Sequence, residues 1–140
     1  MAALGAEIVA AVDDLFFGVK IQEAARKLNV PVSLARSPEE ASTLARERRP
    51  ALLIVDLQAE TCRPLEVIRR IKADPGLRAT PILGYVAHVR EDLMAAASGA
   101  GCDEVLPRSA FSARLPEILR RFVQSSDGPL PPDAVSGGMR

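Results

Sequence analysis

The residues best placed to do chemistry are carboxylates at the ends of apolar runs. Asp13 and Asp14 follow EIVAAV (7–12), and Asp56 sits near the end of ALLIVDL (51–57). If the chain brings these three together, they repel one another unless a cation neutralises them. Oxygen-only ligands with open positions suit Mg²⁺, which keeps several waters and a phosphate oxygen. Asp14 also has a plainer role, because an Asp between a strand and a helix caps the helix. Arg108 offers a planar fork that can hold a carboxylate such as Asp56, or it is a solvated loop arginine. His88 is either a polar neighbour of the site or simply exposed. Cys62 and Cys102 lack metal-ligand spacing and read as reduced thiols that pack like small apolar residues.

These residues need a scaffold, and the hydrophobic pattern supplies one. Five short apolar runs, at 7–12, 31–35, 51–57, 81–87 and 103–107, alternate with helical patterns. Phe17, Ile21, Ala24 and Leu28 lay one stripe along a first helix. Ser37-Pro38-Glu39-Glu40 reads as a capping box with proline in the first turn, leading into a helix with Ala41, Leu44 and Ala45 inward. Leu65, Ile68 and Ile71 mark the third helix, and a fourth spans about 90–98, ending near Gly99 and Gly101. Ser112 is expected to cap the last, with Pro116 in its first turn and Leu115, Leu119 and Phe122 inward. The third run is apolar at consecutive positions, so it is expected at the centre of a parallel sheet covered on both sides. Five β-α units imply an α/β, doubly wound five-stranded parallel sheet flanked by five helices, with the site at the carboxyl ends of the strands. Residues 1–123 form this domain, and 124–140, rich in Pro, Gly and Ser, read as a flexible tail.

Composition narrows the function. Lys plus Arg and Asp plus Glu both number 18, which argues against nucleic acid as the main partner. The pairs Arg48-Arg49, Arg69-Arg70 and Arg120-Arg121 then read as solvated helix faces. No run is long enough to cross a membrane and no secretory signal is present, so a cytoplasmic protein is expected. No strand–helix turn carries a Gly-rich phosphate loop, which weakens a nucleotide-binding reading.

Over about residues 6–123 the chain resembles the receiver domain of bacterial response regulators. The resemblance implies that Asp13 and Asp14 hold Mg²⁺ and that Asp56 is the phosphoacceptor. LEVIRRIK (65–72) followed by Asp74-Pro75 is typical of the third helix of that family. Several positions depart from the pattern. Val86 stands where the family has a Thr or Ser hydroxyl, and Val105 where it has a rotating aromatic. Arg108-Ser109 replaces Lys-Pro, and Glu60 and Pro64 replace the usual Pro and Gly. The resemblance therefore implies an intracellular signalling module of pseudo-receiver type, not a metabolic enzyme, with an acidic pocket but no working phospho-switch. Its partner is expected to be a histidine kinase or a downstream signalling protein, docking on helix four, strand five and helix five, a face that also suits a homodimer. The alternative is a phosphorelay component phosphorylated on Asp56 with Mg²⁺.

Overall fold

The computed structural model describes residues 6–125. Its strands are β1 (Ile8–Ala11), β2 (Val32–Ala35), β3 (Leu52–Asp56), β4 (Ile82–Val86) and β5 (Glu104–Pro107). Between and after them run α1 (Leu15–Arg26), α2 (Pro38–Arg48), α3 (Pro64–Ala73), α4 (Glu91–Ala100), α5 (Arg108–Ala113) and α6 (Leu115–Ser125). The strands form one parallel sheet in the order β2-β1-β3-β4-β5. This is the flavodoxin-like, doubly wound arrangement the pattern predicts. β1 is buried at every position and β3 at all but its last, as the consecutive apolar run requires.

Because side chains alternate along a strand, the sheet has two distinct cores. One face carries Leu53, Val55, Ile82 and Val86 under α2, α3 and α4. The other carries Leu52, Ile54, Leu83 and Tyr85 under α1, α5 and α6. Of the stripe expected on α1, Phe17 and Ile21 are buried, and Ala24 and Leu28 pack against the same core. The Ser37 hydroxyl accepts the Glu40 N–H at 3.0 Å, while the Glu40 carboxylate takes the N–H of Arg36 at 2.9 Å, one residue outside the usual box. α4 ends where Gly101 adopts φ +117°; a Cβ there would lie 2.6 Å from the Lys72 side chain.

The carboxyl-terminal helix is a correction. Ser112 does not cap it; Ser112 lies inside the short α5, and α6 begins at Leu115, giving six α-helices among the described residues in place of five. Pro116 has no N–H for the Ser112 carbonyl and its ring crowds it, so the helix breaks at Arg114 (φ −114°, ψ 19°). α6 also includes Gln124 and Ser125, which the sequence assigned to the tail. The rest of that tail, 126–140, lies outside the described residues.

Candidate functional site at the carboxyl edge of the sheet

Asp13 and Asp14 follow β1, and Asp56 ends its neighbour β3, so the topology brings the three acids to one edge. Each carboxylate is already engaged. Asp13 accepts the Thr61 N–H at 3.2 Å and the Cys62 thiol at 3.3 Å. A 3-10 turn at Glu60–Cys62 presents both donors, followed by Arg63 at φ 48° and Pro64 at the start of α3. Asp14 is the N-cap of α1 and accepts the Phe17 N–H at 3.3 Å. The plainer of its two expected roles is thus observed. Asp56 is half-buried and accepts the Gln58 N–H at 3.0 Å. Burial pushes its carboxyl above the ordinary aspartate range; the Gln58 N–H and Arg108 oppose the rise, and Asp13 and Asp14 add to it.

Three carboxylates are the right donors for a hard cation. Among the described residues, however, no group of three His, Cys, Asp or Glu side chains is placed to hold one. Asp13 faces the 3-10 turn and Asp14 faces its own helix, so an ion at this edge would require Asp13 to release Thr61 and Cys62.

Arg108 opens α5 and reaches Asp14 at 4.0 Å, not Asp56. Of its two expected readings the fork on Asp56 is not formed, and Arg108 is not a loop arginine but the first residue of α5, with its guanidinium 5.8 Å from the Phe17 ring. Val86 is fully buried among aliphatic side chains, with Val105 packed against the same cluster. The Ala87 N–H beyond Val86 is bonded by the Gln58 side-chain oxygen at 2.5 Å. His88 is exposed on the loop after β4, and the three arginine pairs are exposed. Both cysteines are free and buried. Burial, with Asp13 beside it, pushes the Cys62 thiol up to about 12, so it is a hydrogen-bond donor and not a nucleophile.

Sequence reasoning missed Tyr85. It is Asp56's register partner on β4, and in a parallel pair such partners point to the same face. Its ring lies 4.9 Å from Phe17 and 5.2 Å from Phe111. It is 1% exposed, and its hydroxyl is a buried side-chain polar atom with no hydrogen-bond partner. Leaving such a group unpaired costs about 1–3 kcal/mol. The signal was present in the sequence: Tyr85 stands one residue before Val86, so it must face the other side of β4.

No family profile matches the chain. It is similar to the polar-differentiation response regulator DivK of Brucella anthropi, at 28% identity over 88 residues, covering 63% of this chain and 72% of that protein. Its fold matches the phosphorylated cyanobacterial phytochrome response regulator RcpA, with TM-score 0.73 and 25% identity, covering 90% of this chain and 98% of that one. It also matches a receiver domain of a Pseudomonas aeruginosa sensor histidine kinase, whose structure has a magnesium ion coordinated in the active site cleft. There the TM-score is 0.74 and the identity 24%, over 86% of this chain and 99% of that one. Among the described residues no helix is long and apolar enough to cross a membrane.

Proposed function

We propose that this chain, a response-regulator receiver domain, works as a protein-binding signalling module in which the route through Val86 and Val105 does not switch. The observation that carries the reading is Val86 itself. It is 0% exposed, has no donor, and is stiff at χ1, so nothing at that position can turn toward an anion on Asp56. Val105 packs against the same cluster and is too small to fill a vacated space as an aromatic would. A ligand shifts an equilibrium only by interacting differently with two states, and this side of the site supplies no such difference.

The partner surface is better supported at the start of α1 than on the expected face of α4, β5 and the last helix, α6. Phe16 is 91% exposed, with Leu15 and Val19 exposed on the same turn, beside Asp14. Among the described residues no large apolar side chain of α4, β5, α5 or α6 is comparably exposed. An apolar cluster of this kind marks a docking surface. A protein partner fits it, which also agrees with the zero net charge.

A second reading is favoured by Asp56, which is reachable at the strand end. It can take a phosphoryl group from a phosphohistidine: a carboxylate oxygen bonds to phosphorus, the P–N bond breaks, and the imidazole keeps the electron pair. Mg²⁺ would assist such a transfer by drawing charge from the phosphoryl oxygens. It would bind weakly, since Asp13 must first give up Thr61 and Cys62. Backbone amide NMR with and without Mg²⁺ and beryllofluoride tests the main reading. Shifts absent from α4 and β5 are expected; large shifts across 90–107 would restore the ordinary switch.

A further inference from the structure

Tyr85 has no structural reason to be a tyrosine. A phenylalanine would fill the same space between Phe17 and Phe111 and would leave no hydroxyl unpaired. A buried donor without a partner calls for an explanation, and its position supplies one. Tyr85 and Asp56 are register partners on adjacent strands, with side chains on the same face. Adjacent strands lie about 4.8 Å apart, well within the length of a phenol side chain. Burial and the Asp56 charge both hold the phenol in its protonated form, so it remains a donor at every working pH. Arg108 stands nearby, held only loosely: its ion pair with Asp14 is 4.0 Å long, both groups are partly exposed, and its other neighbour is the Phe17 ring that also touches Tyr85.

We propose that the Tyr85 hydroxyl, together with the Arg108 guanidinium, is the hydrogen-bond donor to an oxyanion carried on Asp56, acting from the α1–α5 side of the sheet. The ligand class is a tetrahedral phosphoryl group or its mimic. An oxyanion added to Asp56 brings new acceptor oxygens to this edge and extra negative charge that draws Arg108 from Asp14. The hydroxyl missing at Val86 on one face is then supplied from the other, and the change is felt at Phe17, Phe111 and the start of α1, not at α4. The inference rests on the reading of Asp56 as the group that takes the oxyanion.

The chain has one tyrosine and no tryptophan, so its ultraviolet emission reports on Tyr85 alone. The full chain would be titrated with beryllofluoride in the presence of Mg²⁺. Fluorine NMR would count bound fluoroberyllate while tyrosine emission is followed. Binding is expected to change the emission, and Tyr85→Phe, checked by its melting curve, is expected to bind about tenfold more weakly. Arg108→Ala should weaken binding in the same direction. Equal binding in wild type and Tyr85→Phe, with unchanged emission, would overturn the role of Tyr85 while leaving Asp56 as the acceptor. Absence of bound fluoroberyllate in the wild type would overturn both.

Discussion

The two faces of the sheet are built differently. Beneath α2, α3 and α4 the hydrophobic cluster is built of aliphatic side chains and cysteines, with Val86 among them, and the one buried polar side chain among the described residues there, Ser42, bonds the Pro38 and Glu39 carbonyls. Beneath α1, α5 and α6 lie Phe17, Tyr85 and Phe111, with Tyr85 stacked on Phe111, Phe17 tilted against both, the Tyr85 hydroxyl unpaired and Arg108 over the Phe17 ring. One face is complete in itself. The other holds a polar group that its own fold does not satisfy. The difference teaches where a response to Asp56 can start: a saturated aliphatic layer has nothing to gain from a new anion, whereas an unpaired donor does.

The largest effect should come from removing the aromatic support. Phe111 is fully buried, and Phe111→Ala is expected to cost about 3–5 kcal/mol, read from the urea midpoint. A loss below about 1 kcal/mol would mean the stack is not what fills that face.

Next comes a pair of opposite sign. Val86→Thr puts a hydroxyl among aliphatic groups and should destabilise by about 1–3 kcal/mol. Tyr85→Phe removes an unpaired hydroxyl and should stabilise by about 1 kcal/mol. Chemical denaturation of the two variants side by side decides it. If both changes lose stability, the contrast between the faces fails.

Titration of Asp56 gives the third test. Its pKa is raised on folding, so between the ordinary aspartate pKa and the raised value the folded chain binds more protons than the unfolded one. Stability should therefore fall as pH rises through that window. In Asp56→Asn this contribution to the fall should be absent, leaving the variant more stable than wild type at neutral pH and level with it below the window. Melting curves from pH 3 to neutrality would show whether the two lines converge at the acid end. The same relief is not expected of Asp13→Asn, since Asp13 ties Thr61 and Cys62 to the loop after β1.

The smallest effect belongs to Arg108. Its pair with Asp14 is long and partly exposed, so Arg108→Ala should change stability by no more than about 0.5 kcal/mol. A larger loss, seen as a clear drop in melting temperature, would mean that Arg108 is a fixed part of the aromatic face and not a side chain free to turn.

What the sequence determined is the part governed by periodicity. Consecutive apolar residues in β1 and β3 require burial on both faces, and the stripes of α1 and α3 require one buried side each. The parallel sheet and the carboxyl-edge location of Asp13, Asp14 and Asp56 were legible for that reason, whereas the hydroxyl missing at Val86 was read only from the resemblance to receiver domains. Tertiary structure alone decided which way the polar groups turn. Asp13 turns to Thr61 and Cys62, 48 and 49 positions away in the chain. Arg108 lies between Asp14 and the Phe17 ring, 94 and 91 positions away in the chain. Tyr85 stands opposite Asp56 because β3 and β4 pair in that register. Each of these is a contact between distant segments, set by how the layers pack, and local hydrophobic spacing holds no record of it.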